Sequence, residues 1–148
     1  MDVQTERDID YPAADVWDVL ADFAAYEQWN PYVTIVSGEL REGAVIEIEI
    51  TPSTGNDRTV TVKITDLDPG SSIEWVGTAF YPWLFETRQS ITLEPIDDNC
   101  TRVSTTKQLT GILARFVASD HIDADLDAMH RALEAEVNCR SNTDRANR

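Results

Sequence analysis

A change of rhythm at Gly111 constrains this chain more than any other feature. Between Thr34 and that glycine, apolar residues recur at every second position in short runs. Beyond it, Ile112, Leu113, Phe116, Val117, Ile122, Leu126, Met129, Leu133 and Val137 trace one stripe. The first rhythm belongs to half-buried strands. The second, held for about seven turns at 3.6 residues per turn, belongs to one long amphipathic helix. That helix must bury its stripe, and the inner face of the sheet is the large apolar surface available to it. Segregated strands and helices mean an α+β fold with an antiparallel sheet.

The remaining segments fit this order. Val3, Thr5, Arg7, Ile9 and Tyr11 alternate with Gln4, Glu6, Asp8 and Asp10, which predicts a first strand. Pro12 follows at a helix-opening position, where its missing N–H costs nothing. Val16, Val19, Leu20 and Phe23 then recur at helical spacing, while Asp15, Asp18 and Asp22 face out. A second short helix over 24–29 ends at Asn30-Pro31, because proline disfavours helix in the residue before it. Further strands are predicted over 34–40, 45–51, 59–66, 72–79, 85–94 and 101–110, with turn formers between them. Residues 1–137 read as one domain. Residues 138–148, where the apolar period stops, read as a disordered polar tail.

Charge narrows the partners. Aspartate and glutamate number 27 against 12 lysines and arginines, a formal net charge of −15. A field of that sign repels phosphates, so no nucleic-acid partner is expected and anionic membrane surfaces are disfavoured. Of the basic residues, Lys63 and Lys107 alone are lysine. Scattered acids with scarce lysine resemble the proteins of salt-in halophiles, whose salt screens such self-repulsion; an ordinary acidic surface is the alternative. At 148 residues the chain can bury about 70% of its unfolded surface around one core. No run approaches the roughly 20 apolar residues of a membrane span. The acidic, alternating start is unlike a signal peptide, so a cytoplasmic location is expected. Cys100 and Cys139 lie in no CxxC or Cys/His cluster and read as free thiols.

Asp10 to Pro12, Val16-Trp17-Asp18-Val19-Leu20, Asp22, Tyr26 and Trp29-Asn30-Pro31 together resemble the opening of the SRPBCC superfamily, the START and polyketide-cyclase-like helix-grip proteins. The resemblance continues at Leu93-Glu94-Pro95, Thr101-Arg102-Val103 and Leu109-Thr110-Gly111, so it spans nearly all of the chain before the tail. It implies a curved seven-stranded antiparallel sheet wrapped around the long C-terminal helix, two short helices after the first strand, and an apolar cavity between sheet and helix. Such proteins include lipid carriers, ligand binders and aromatase/cyclases, so fold does not settle activity. Many carry a histidine or an acid where Gln89 and Lys107 stand here.

Strand parity supplies the candidate site. If Ile91 and Leu93 face inward, so do Phe85, Thr87 and Gln89. If Val103 and Leu109 face inward, so do Thr105 and Lys107, and Arg7 shares the inward parity of Val3 and Ile9. One reading is a cavity wall where a few polar groups orient a ligand's carboxylate, phenolate or carbonyl. The other is a bulge that lets Lys107 snorkel to water, or an internal ion pair. Ile73, Trp75 and Gly77 share a face of their strand, and Trp75, Ile91, Phe85, Phe116 and Met129 are expected as apolar lining. The greasy run Tyr81, Pro82, Trp83, Leu84, Phe85 reads as a pocket rim or homodimer contact, or alternatively as buried strand. Trp29-Asn30-Pro31 reads as a structural helix stop.

His121 and His130 lie among acids at helical spacing and are expected to form exposed ion pairs. No HExxH, GxSxG or phosphate-cradling glycine loop is present, and no metal or cofactor is expected. Asn99-Cys100-Thr101 matches a glycosylation sequon but reads as a turn. Three functions follow. Binding or carriage of a small hydrophobic molecule leads, without catalytic residues. A cyclase- or dehydrase-type enzyme using Lys107, Gln89 or Tyr81 is the rival. The third is a protein-interaction module using the aromatic rim.

Overall fold

A computed structural model describes residues 2–52, 57–78, 83–112 and 122–146. Seven strands form one antiparallel sheet: β1 (Asp2–Ile9), β2 (Val33–Ser37), β3 (Val45–Ile50), β4 (Arg58–Asp68), β5 (Ser72–Thr78), β6 (Glu86–Asp97) and β7 (Cys100–Thr110). Their order across the sheet is β1-β7-β6-β5-β4-β3-β2. Every neighbour but β1 is thus a sequential hairpin partner, and β1 closes the far edge against β7. After β1 come α1 (Ala13–Ala21), a 3₁₀ turn (Phe23–Ala25) and α2 (Tyr26–Trp29); the long α3 (Ile122–Ala146) ends the chain. This is the α+β helix-grip arrangement that the rhythm and the resemblance imply.

The turns show why the hairpins close where they do. Asp68-Pro69-Gly70 returns the chain through a hydrogen bond from Ser71 N to Asp68 O (2.9 Å), with Gly70 at φ 85°, which a side chain would oppose. The last hairpin is tighter than its turn residues predict. Pairing runs on through Pro95 to Thr101 and is interrupted by an irregularity before Asp97, whose carboxylate accepts the N–H of Asn99. Gly111, at φ 100°, passes so close to the Leu84 carbonyl that any Cβ would overlap it. This close passage pins the end of β7 to the segment leading into β6.

The helix stop at Asn30-Pro31 is structural, as predicted. The Asn30 side-chain oxygen accepts the N–H groups of Tyr32 and Val33, both at 2.9 Å, and so turns the chain from α2 into β2. Phe23, Tyr26 and Trp29 stack edge to face at 5.3 and 5.1 Å, and the buried Tyr26 hydroxyl donates to Leu20 O at 2.5 Å.

Strand parity carries through. Ile9, Ile46, Ile48, Val62, Ile64, Ile73 and Val103 point into the core, where Leu126, Met129, Leu133 and Val137 of α3 meet them. α3 packs on β1, α1 and α2. Two expectations at the helix are corrected. Ile112 does not belong to the stripe: it sits exposed in the turn after β7, its N–H bonded to Trp83 O. Nor does order end at 138, because the helix runs to Ala146. Polar contacts replace the missing apolar ones there, with Asn138 accepting from the Tyr11 hydroxyl and Arg140 pairing with both Glu136 (3.2 Å) and Asp22 (3.1 Å). Leu113, Phe116, Val117 and His121 lie outside the described residues, as do Tyr81 and Pro82. Cys100 and Cys139 are free thiols.

Candidate functional site

The inner face of β5, β6 and β7 departs from the all-apolar pattern of its neighbours. Register places Trp75, Gln89, Lys107 and Val3 in one row across four strands. The next row toward the open end of the hairpins is Gly77, Thr87 and Leu109. β7 is regular over this stretch and carries no bulge, so Lys107 keeps its inward parity and is 6% exposed. Snorkelling is excluded by that burial. Gln89 is 4% exposed and Thr87 8%.

Lys107 meets a partner that parity did not point to. Its ammonium donates to the Tyr32 hydroxyl at 2.6 Å, and Nζ also lies 4.9 Å from the centre of that ring. Tyr32 sits just before β2, at the opposite edge of the sheet from β7. The two residues therefore span the concave side of the curved sheet. Burial drives the Lys107 amine down to about 8, the nearby charge of Arg58 pushes the same way, and Asp125 opposes. Burial drives the Tyr32 phenol up to about 12, Asp125 adds to this and Arg58 opposes. Near neutral pH the phenol is a donor and the amine is poised within reach of both its states.

Gln89 Nε2 and Thr87 Oγ1 are buried and have no hydrogen-bond partner among the described residues. An unpartnered buried donor costs about 1–3 kcal/mol. A lysine, an amide and a hydroxyl thus lie on the inward face of the adjacent strands β6 and β7, the amide and the hydroxyl without a partner among the described residues.

One row further along, Thr105 Oγ1 and His130 Nε2 share a 2.6 Å hydrogen bond, and His130 is fully buried. This corrects the expectation of an exposed, ion-paired histidine. His130 is four residues from Leu126 and three from Leu133, so it belongs to the apolar stripe; its acidic neighbours in sequence masked that spacing. Burial holds the imidazole down at about 4, with Asp127 opposing and Arg7 assisting. Asp125, also buried, shares the stripe spacing with Ile122 and Met129.

The other predicted positions divide. Trp75, Ile91 and Met129 are buried, and Phe85 packs half-buried against the core. Gly77 faces inward, but Val62 and Thr87 close on it so tightly that a Cβ would lie 3.0 Å from Val62 Cγ1. Its role there is close packing of β5. Arg7 is half-buried and paired with Glu134 of α3 at 3.0 Å. Trp83 is 63% exposed. Tyr81 and Phe116 lie outside the described residues. A cleft of about 410 Å³ between the end of β1 and α3, lined by Asp10, Tyr11, Arg131, Glu134, Ala135 and Asn138, includes none of these positions. No group of three or more metal-ligating side chains occurs among the described residues. No described helix is long and apolar enough to cross a membrane.

A seven-stranded sheet gripping a C-terminal helix, with a polar row set into its concave face, defines the class as helix-grip. The chain belongs to the polyketide cyclase/dehydrase and lipid transport family, whose model matches residues 1–138. Solved structures agree on the fold. A protein from Chromobacterium violaceum superposes with a TM-score of 0.74 at 16% identity, covering 92% of this chain and 96% of that one. The ZhuI aromatase/cyclase of Streptomyces sp. R1128 gives 0.74 at 22% identity, covering 95% of each chain. A START superfamily protein from Mycobacterium smegmatis gives 0.68 at 16%, covering 93% and 97%. No curated protein matches the sequence.

Proposed function

We propose that this protein binds a small, largely apolar molecule between the sheet and α3, and that Lys107, Gln89 and Thr87 hold an oxygen of that molecule. The observation that carries this reading is the pair of unpartnered buried donors, Gln89 Nε2 and Thr87 Oγ1, beside a buried lysine. Nothing in core packing requires them, since valine and leucine would fill the same positions without the desolvation cost. Apolar burial would supply affinity at about 25 cal/mol per Å², and the donors would set orientation. The family's description covers both transport and cyclase or dehydrase chemistry. Transport is the reading we favour, because Arg7 is paired with Glu134 and His130 shares a hydrogen bond with Thr105, while Gln89 Nε2 and Thr87 Oγ1 have no partner among the described residues.

A cyclase- or dehydrase-type reaction is the second reading, and one contact favours it. The 2.6 Å Lys107–Tyr32 pair puts a titratable amine against a phenol that stays protonated, which is the equipment for proton transfer. The exposed Trp83 also suits a rim at the pocket mouth or a contact between two copies. Native mass spectrometry on protein purified from its own host, kept in high salt until transfer to volatile buffer, tests the binding reading. A copurifying lipophile is expected in the wild type and is lost in Gln89→Leu. Its absence from repeated preparations would overturn the reading.

A further inference from the structure

The buried amine carries a further step. We propose that Lys107 captures its ligand as a reversible imine, joining Nζ to the carbonyl carbon of an apolar aldehyde or ketone, with the Tyr32 hydroxyl carrying protons. This rests on the reading that the row around Lys107 binds a small apolar molecule, and it names the chemical class of that molecule.

The geometry sets this lysine apart. Lys63, the other lysine, stands exposed on the outward face of β4. Lys107 is 6% exposed, on a regular strand, with a hydroxyl at 2.6 Å and an amide donor on the neighbouring strand. An amine attacks a carbonyl as the neutral base, and burial with Arg58 nearby lowers the Lys107 amine to about 8, so a useful fraction is neutral at physiological pH. An imine also suits the surroundings, since it replaces a buried ammonium with an apolar linkage.

Atoms and electrons balance without a further reagent. The Nζ lone pair forms the N–C bond as the carbonyl π pair moves to oxygen, where Gln89 Nε2 donates a hydrogen bond. One proton passes from nitrogen to that oxygen, giving the carbinolamine. The nitrogen lone pair then expels the hydroxyl, which leaves as water after taking a proton from Tyr32. The second nitrogen proton restores the Tyr32 phenol. No change of oxidation state occurs, and hydrolysis by the reverse path releases the ligand.

Reductive trapping tests this. The full chain is incubated with cinnamaldehyde and sodium cyanoborohydride in high salt near neutral pH, and peptide mapping locates the reduced adduct. Lys107 should be labelled at least about tenfold faster than Lys63, the factor that one unit of amine basicity alone provides. The preference should vanish in concentrated guanidinium. Tyr32→Phe should slow labelling of Lys107 by about tenfold or more while leaving labelling of Lys63 unchanged. Cinnamyl alcohol, which has the same skeleton without the carbonyl, separates the two claims when its binding is followed by tryptophan fluorescence. If the alcohol binds but the folded protein is labelled no faster at Lys107 than at Lys63, the imine is overturned and the binding reading stands. If neither compound engages the protein, both are overturned.

Discussion

The two halves of the concave face obey different rules. From β2 to β5, the inward positions are occupied by Val33, Ile46, Ile48, Val62, Ile64, Ile73 and Trp75, all buried and apolar. On β6 and β7 the same parity places Thr87, Gln89, Thr101, Thr105 and Lys107 among Ile91, Leu93, Val103 and Leu109. The first half is what a sheet under a helix needs for stability. In the second half, each buried polar group must be satisfied within the protein or remain at a cost of about 1–3 kcal/mol. Thr101 donates to Tyr11 O, Thr105 pairs with His130, and Lys107 with Tyr32; Thr87 and Gln89 keep unpartnered atoms. The contrast separates an all-apolar half from one that carries buried polar groups.

Substitutions on either side can break or sharpen that contrast. The largest effect belongs to the apolar contacts: Leu126→Ala, at a fully buried position of α3, should cost about 2–5 kcal/mol in urea unfolding. A loss under 1 kcal/mol would mean that α3 grips the sheet far more loosely than its burial indicates.

Next comes His130. Its folded-state value near 4 lies below the ordinary 6.5, so between those values the unfolded chain binds more protons than the folded one. The stability contributed by the neutral, buried imidazole is complete above pH 6.5 and is lost as pH falls toward 4. The loss should be on the order of 2–3 kcal/mol. Comparing wild type with His130→Gln at pH 7 and pH 4.5 isolates it from the titration of the many carboxylates; parallel pH profiles would contradict the buried neutral histidine.

Lys107→Met should stabilise the fold, with a pH dependence of the same sign at higher pH. The folded amine titrates near 8 against an ordinary 10.5, so the folded state pays for the charge below pH 8 and is relieved as pH rises to 10.5. At pH 7 the variant should be more stable than wild type by about 1–2 kcal/mol, after allowing for the Tyr32 hydroxyl it leaves unpartnered. The gain should shrink steadily above pH 8. A destabilised variant would show that the Lys107–Tyr32 contact is a net structural asset.

The smallest change is expected at Thr87→Val, which removes an unpartnered hydroxyl at nearly constant volume. Stability should hold or rise by up to about 1 kcal/mol, while retention of a copurified lipophile falls. Unchanged retention would remove Thr87 from the binding row.

Much of this was legible because period and parity are local properties. The alternation of Thr87, Gln89, Ile91 and Leu93 against Thr105, Lys107 and Leu109 identifies which side chains share a face, and a regular ladder preserves that ordering. His130 was legible in principle, since its spacing from Leu126 and Leu133 is helical, but its acidic neighbours suggested a solvent face. Tyr32 was not legible at all. It lies 75 residues from Lys107, in a turn whose direction is set by the Asn30 side chain, and no period links the two.

Sequence alone therefore determined the elements, their order and which face of each is buried, because those follow from backbone periodicity and the cost of leaving apolar surface in water. The closure of the sheet decided the rest. Curvature brings Tyr32 at one edge to Lys107 near the other and sets His130 of α3 against Thr105. The same burial pulls the amine and the imidazole away from their ordinary protonation. Such contacts join residues far apart in the chain, and their energetics depend on how much water the assembled structure excludes.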